Sequence, residues 1–299
     1  MKHLYIIGNG FDLFTGLKTR YEDFRSWLEI NYPFVYENML AVYDMKVEWW
    51  NEFEVQLGRL NVPAYVRKFR PPMRPIEEAW REIEEKRKAV EERYKLPSEW
   101  HFDSQCARRL SGLLDVLQYC FEKWVQGCQD VITNCRYVHL QKDDSFFINF
   151  NYTDVLQDLY NIPDERVLHI HGRASTHDHL VFGHDSRLFG DGSEESNQVC
   201  FELNRYEKNP YDYIFKHDEL PVILKDVKYV YIYGFSFSPV DEDYLDWIYN
   251  HVSRFTRWEV SYFSDTDRLR IAKFMREHPG VKERMKLIRL NDIEEMKAR

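Results

Sequence analysis

No stretch of about 18 consecutive apolar residues occurs in this sequence, so no membrane-crossing helix is expected. The first apolar run, inside MKHLYIIGNGFD, is four residues long before a glycine interrupts it. That is too short for a secretory leader, and a cytosolic protein is expected. Positive charge is also short. Lys and Arg number 41 against 50 Asp and Glu, a net charge of −9. A field of that sign repels a nucleic-acid backbone unless a local basic groove exists, so no nucleic-acid partner is expected. Cysteine is scarce and unpaired in pattern: Cys106, Cys120, Cys128, Cys135 and Cys200, with no C-x-x-C. Neither a disulfide framework nor a structural zinc module fits that set. Cys120, Cys128 and Cys135 recur at spacings of 8 and 7, which a helix would place on one packing face. There is no G-x-S-x-G elbow, no P-loop and no H-E-x-x-H, which removes the commonest hydrolase, NTPase and zinc-protease chemistries.

What is present is organised around the few glycines. Gly8, Gly10, Gly16, Gly172, Gly183 and Gly234 sit at or just after the ends of short apolar runs. Glycine at strand ends is how ligand-binding loops are made in α/β sheets. The runs 3–7, 145–150, 167–171, 180–183, 227–234, 258–263 and 285–290 read as strands. Amphipathic spacing predicts helices at 20–32, 49–60, 240–252 and 265–277, and one long helix or two shorter ones over 104–136. The segment 74–95 alternates acids and bases and reads as a solvated helix with i,i+4 ion pairs. Strand–helix alternation toward the C-terminal end predicts a parallel sheet with crossover helices. The expected fold is therefore α/β, a Rossmann-like parallel sheet flanked by helices. It would form one domain over 1–299, with a helical insertion at about 35–140.

Four segments carry residue types suited to chemistry. In GNGFDLFTG, the amides of Gly8, Asn9, Gly10 and Phe11 precede a helix and suit a phosphate, or simply a tight turn. Asp12 would repel phosphate there and suits a metal, a sugar hydroxyl or an orienting role. In INFNYTD, Asn149 and Asn151 close a buried strand where carboxamides face a ligand crevice, and Asp154 either caps the next helix or joins that crevice. In HIHG, alternation along a strand would turn His169 and His171 to the same face, with His171 at the strand end as an acid–base candidate. His177, Asp178, His179, His184 and Asp185 follow closely and allow a metal cluster or structural histidines. In YGFSFSPVDED, Gly234 and Ser236 precede a helix whose first turn holds Asp241 and Asp243. These either cap and complement the helix or form a second ligand loop.

Taken in order, IIGNGFDLFTGLKTRYEDF, WWNEFEVQLG, INFNYTDVLQDLY, LHIHG, LVFGHD and YIYGFSFSPVDEDYL resemble the AbiH family of bacterial phage abortive-infection proteins, over about a quarter of the chain. More distantly, the series is similar to the sirtuin-like NAD-binding fold of bacterial defence NADases. That resemblance implies NAD-phosphate contact by Gly8, Asn9, Gly10, Phe11 and Asp12, and a ribose-side role for Asn151 and Asp154. It makes His171 the catalytic histidine and assigns the adenosine side to Gly234, Ser236 and the acids that follow, Asp241 among them. Asp12 replaces a small serine-like residue, the Asn–Asp spacing is one residue longer, and the four-cysteine zinc module of deacetylases is missing. Glu54, four residues after Trp50 in the AbiH-like W-x-x-x-E element, shares a helix face with that ring and is a second candidate acid, or an exposed helical glutamate. The implied activity is hydrolysis of the N-glycosidic bond of NAD or a related nucleotide, taken as ligand or substrate, with no permanently bound cofactor or metal. A nucleotide-binding sensor without turnover is one alternative. A metal-dependent hydrolase using Asp12, His169, His171, His184 and Asp185 is another. A phage-derived trigger is implied, and self-association is expected from an aromatic content of 16%.

Overall fold

The computed structural model describes residues 1–43, 47–69, 86, 105–129, 135–176, 179–185 and 187–295. Most of the charged segment 74–95, together with His177 and Asp178, lies outside the described residues. The strands are β1 (His3–Ile7), β2 (Tyr137–Val138), β3 (Ser145–Asn149), β4 (Val167–His169), β5 (Tyr229–Tyr233), β6 (Arg257–Ser261), β7 (Met285–Ile288) and β8 (Glu294–Glu295). The α-helices up to β3 are α1 (Asn9–Thr15), α2 (Tyr21–Asn31), α3 (Pro33–Tyr43), α4 (Phe53–Leu57), α5 (Val62–Phe69) and α6 (Gln105–Gln129). Those after it are α7 (Val155–Asp158), α8 (Glu194–Asn204), α9 (Pro210–Ile214), α10 (Leu220–Lys225), α11 (Glu242–His251) and α12 (Asp265–Glu277). No described helix is long and apolar enough to cross a membrane.

The chain forms two compact units. The first comprises Met1–Thr19, Val125–Leu180 and Asn209–Arg299, and the second comprises Arg20–Trp124 and Val181–Lys208. The first unit is built on a six-stranded sheet in the order β4-β3-β1-β5-β6-β7, with every neighbouring pair parallel. This is the doubly wound arrangement expected from the strand–helix alternation: the chain starts in the middle, fills one half of the sheet, then returns to fill the other. Alternate side chains bury on opposite faces because both faces are covered. Leu4, Ile6, Phe146, Ile148, Val230, Ile232, Trp258 and Val260 pack with Leu220, Leu245, Ile248, Ile271 and Phe274 of the later helices. Tyr5, Ile7, Phe147 and Tyr233 pack with Phe11 and Phe14 of α1 and with Val155 and Leu156 of α7. A separate antiparallel pair joins β2 to β8.

Register decides where the site lies. Ile7 stands opposite Asn149 on β3 and Tyr233 on β5, and Asn149 opposite His169 on β4. The carboxyl ends of four strands therefore finish level, and the segments beginning at Gly8, Phe150, Ile170 and Gly234 leave the sheet side by side.

The second unit is helical, with an aromatic centre. Trp50 stacks on Phe53 at 5.1 Å, Phe24 meets Phe121 edge-on at 5.4 Å, and Phe182 lies 5.0 Å from Phe121. Phe182 belongs to the LVFG run, which the sequence suggests as a strand and which is not one. Leu180 and Phe182 are buried as single apolar anchors, and pairing is limited to one parallel bridge between His184 and Glu207. A short apolar run carries no periodicity that separates a strand from a buried extended anchor. The helix expected over 49–60 is a 3-10 turn, Val47–Glu52, followed by α4. Cys120 and Cys128 lie on α6, whereas Cys135 lies beyond it on the approach to β2.

Candidate functional site

Gly8, Gly10 and Gly234 make a direct backbone contact between the loop after β1 and the loop after β5. Gly8 N–H donates to Tyr233 O at 3.0 Å, and Gly10 N–H donates to Gly234 O at 2.7 Å. Gly234 has φ +66°, and a Cβ there would lie 1.9 Å from Phe11 N and 2.4 Å from Gly10 C, so only glycine fits. A Cβ on Gly8 would stand 2.7 Å from Phe235 Cα. Gly234 N–H is held in turn by Ser261 Oγ at 2.8 Å. The N-terminus of α1 is thus clamped, with Phe11 N–H donating to Gly8 O at 2.9 Å and the Phe11 ring fully buried 5.5 Å from Tyr160. Asn9 is exposed, and its amide is tied to Thr19, donating to Thr19 O at 2.7 Å and accepting from Thr19 Oγ1 at 2.6 Å.

Asp12, in the first turn of α1, is 1% exposed. Its Oδ1 accepts from Asn151 Nδ2 at 2.7 Å and its Oδ2 from Thr153 Oγ1 at 2.5 Å. Asn151 gives its other amide hydrogen to Gly8 O at 3.1 Å, and its own backbone N–H donates to Asn149 Oδ1 at 3.0 Å. The two asparagines closing β3 therefore link that strand end to the β1 loop. Burial pushes the Asp12 carboxyl up to about 7, against the lowering effect of the Thr153 and Asn151 hydrogen bonds. A carboxyl balanced between its two protonation states near neutral pH is the kind of group acid–base chemistry uses. Thr153 is missed by sequence reasoning, and its hint was a hydroxyl two residues past Asn151.

Asp154 stands at the N-cap of α7 but makes no side-chain cap bond. Its Oδ1 accepts instead from Arg173 Nε, and Arg173 Nη1 reaches Asp164 Oδ1 at 2.9 Å. Arg173, also unforeseen, follows HIHG directly, so its place in the chain was the available signal. His169 is fixed by two contacts, Nδ1 to Asn151 O at 3.1 Å and Nε2 to Gln157 Nε2 at 3.0 Å. A carbonyl only accepts, so Nδ1 carries the proton and Nε2 accepts from Gln157. Burial holds this imidazole below its ordinary titration range, and it is a neutral structural histidine.

His171 does not share a face with His169. β4 stops at His169, Gly172 N–H donates back to His169 O at 3.3 Å, and Gly172 turns with φ +89°, so strand alternation no longer applies. His171 instead lies 2% exposed among the rings of Phe150 at 5.3 Å, Tyr244 at 5.6 Å, and Tyr152 and Tyr213 at 6.4 Å. Asp241 Oδ1 is 3.8 Å from its Nε2. Ser236 is exposed, and its carbonyl accepts from Arg270 Nη1 at 3.3 Å.

Glu54 belongs to the second unit. There its Oε1 is 2.6 Å from the buried Lys208 Nζ and accepts from Gly183 N–H at 3.2 Å. His184, in the same unit, turns Nε2 to Leu203 O at 2.9 Å. Among the described residues, no three His, Cys, Asp or Glu side chains are grouped to hold a metal ion. The carboxyl edge of the first unit thus assembles Asp12, Asn151 and Thr153 in one network, His171 with Asp241 in a second contact, and Asp154 with Arg173 in a third.

No curated protein and no solved structure matches the chain. The family model described as bacteriophage abortive infection AbiH matches residues 4–262, a span that runs from within β1 to the end of β6 and takes in every residue of that edge. The chain belongs to the AbiH family, whose function is bacterial abortive infection against phage.

Proposed function

We propose that the first unit binds a nucleotide, NAD or a close relative, across the carboxyl edge of its sheet and hydrolyses the N-glycosidic bond. One observation carries this reading. The strand order reverses between β1 and β5, the position at which open α/β sheets hold their ligands, and Asp12 and Asp241 follow those two strands while Asn151, Asp154 and His171 follow β3 and β4 beside them. The ligand would lie over the segments beginning at Gly8 and Gly234, with Asn9 and Ser236 as the exposed positions nearest it. Bond cleavage develops positive charge on the ribose as the base departs with the bonding electron pair, and the carboxylates of the edge oppose that charge. Water supplies the new oxygen at the ribose carbon. Its proton passes to His171 and then to solvent. Asp12 holds Asn151, whose carboxamide would position water or the ribose.

A second reading is binding without turnover. It is favoured by the pairing of Asp154 with Arg173 and by the ring enclosure of His171. Purified protein incubated with NAD separates the two. Hydrolysis predicts nicotinamide release that Asn151→Ala and His171→Ala abolish and that a chelator leaves unchanged. Binding without release, surviving His171→Ala, gives the second reading. Neither release nor binding overturns both.

A further inference from the structure

The turn after β1 has the outline of a phosphate cradle without its chemistry. A cradle needs several backbone amides that converge on one anion. Of the four amides from Gly8 to Phe11, three are spent inside the protein. Gly8 N–H donates to Tyr233 O at 3.0 Å, Gly10 N–H to Gly234 O at 2.7 Å, and Phe11 N–H to Gly8 O at 2.9 Å. The fourth alone does not make a cradle. The Asn9 carboxamide is closed on Thr19 by both its nitrogen and its oxygen. The charge behind the turn has the wrong sign as well. Asn151 Nδ2 bonds both Gly8 O, at 3.1 Å, and Asp12 Oδ1, at 2.7 Å, so a phosphate on this turn would approach a carboxyl that burial already pushes up to about 7. Segments 8–12, 150–154, 170–173 and 234–241 hold three acids, Asp12, Asp154 and Asp241, against one guanidinium, Arg173. That guanidinium binds Asp154 and Asp164. Arg270, which reaches the edge from α12, gives Nη1 to Ser236 O at 3.3 Å.

We propose that the edge recognises the nucleoside portion of its ligand, a ribosyl pyridinium or similar cationic N-riboside, and makes no use of phosphates. This rests on the N-glycosidic reading above and narrows its substrate: a pyridinium riboside without phosphates serves as well as a dinucleotide. Charge complementarity favours it. The riboside carries one positive charge, whereas a dinucleotide adds the negative charges of its pyrophosphate, and an acid-rich edge attracts the first and opposes the second. The glycine turn then acts as a closed floor that holds the strand ends level, and recognition falls to the side chains around it. The reaction is unchanged. The bond from the ribose carbon to the pyridinium nitrogen breaks, its electron pair leaves with the neutral pyridine, and water supplies the oxygen to that carbon and releases a proton to solvent.

Two probes test this on the wild-type chain. Backbone amide NMR is recorded while the protein is titrated with inorganic pyrophosphate and, separately, with nicotinamide riboside. Pyrophosphate is expected to leave the Gly8, Gly10 and Phe11 amides unmoved, and the riboside to shift those of Asn151 and Thr153. Saturable displacement of Gly8, Gly10 and Phe11 by pyrophosphate overturns the proposal. So does a riboside that leaves Asn151 and Thr153 unmoved. Nicotinamide release is then compared for the riboside and for NAD. The riboside is expected to show a kcat/KM no lower than about one tenth of that for NAD. A preference for NAD greater than about tenfold overturns the proposal and leaves the hydrolase reading intact. Wild type that cleaves neither defeats the hydrolase reading, while the two titrations still decide which part of the ligand the edge recognises.

Discussion

Replacing Asp12 by asparagine should make the first unit more stable at neutral pH, although it alters a buried side chain that joins two segments of the edge. The amide is isosteric. Its oxygen can accept from Asn151 Nδ2, and its nitrogen can donate to Thr153 Oγ1, so the network keeps its shape. What disappears is the energetic penalty on a buried charge. The Asp12 carboxyl titrates near 3.8 when the chain is unfolded and at about 7 in the fold. A carboxyl raised in the native state binds its proton there at pH values where the unfolded chain has lost it. Wild-type stability from this group is therefore greatest at low pH and falls as pH rises toward 7, by about 1.4 kcal/mol per pH unit. Between pH 5 and 8 the difference between wild type and Asp12→Asn should change by about 3 kcal/mol in favour of the variant. Other titrations are common to both proteins and cancel in that difference, His169 among them. His169 acts with the opposite sign, since an imidazole held below its ordinary range loses stability as pH falls below about 6.5. The assay is native-state hydrogen exchange of β1 and β3 amides, corrected for intrinsic rates, which excludes unfolding of the second unit from the reading. A difference constant to within about 0.5 kcal/mol over that range would refute the reasoning, because the charge would then be solvated or compensated. If Asp12 also serves turnover, the stabilised variant should release nicotinamide more slowly, as expected where function maintains a costly group.

Other consequences are open to direct measurement. Gly234→Ala puts a methyl group against Phe11 N at positive φ and should cost more than about 3 kcal/mol, seen as a large fall in melting temperature or as insoluble protein. A variant that melts like wild type would show that the two loops can part. In the second unit, Glu54→Ala removes the carboxylate 2.6 Å from the buried Lys208 ammonium and should destabilise by about 3 kcal/mol, whereas Glu54→Met combined with Lys208→Met should recover most of the loss. Additive losses in the double variant would argue against the pairing. Arg173→Met removes the guanidinium that joins Asp154 to Asp164 and should cost about 1.5–3 kcal/mol, read as a fall in melting temperature. An unchanged melting temperature would mean that these charge-assisted bonds do not hold the segment after β4.

Much of the first unit was legible because its strands are short apolar runs ending in glycine or asparagine. β1 and α12 fall on the residues that the apolar run 3–7 and the amphipathic spacing over 265–277 indicate, and α12 opens on a capping box of Ser264 and Asp267 that was not anticipated. The order of the strands could be anticipated only as an α/β alternation, since register comes from long-range pairing. The site residues were named one by one, but their partnerships were not legible. Asp12 and Asn151 are 139 residues apart, and nothing in either segment announces the hydrogen bond between them. Asp154 shows the limit from the other side. A helix-start aspartate looks like a cap, and a guanidinium from another segment took its carboxylate instead. Phe11 lies within the motif yet packs into the core, because a helix following a glycine turn must present an apolar face to the sheet. The second unit was least legible, since segment 181–208 joins it from a distant stretch of sequence.

The interlock of Gly10 with Gly234 has a mechanical consequence. Two loops joined backbone to backbone, with no side chain between them and a hydrogen bond across the contact, have no soft coordinate along which to separate. A ligand arriving at the edge would find those two turns behaving as a single rigid anvil. Any rearrangement that admits or releases it must then come from side chains of the flanking segments, 150–154 on one side and 236–241 on the other, because their main chains are tied too, Phe150 N–H to Ile7 O and Asp241 N–H to Ser238 O.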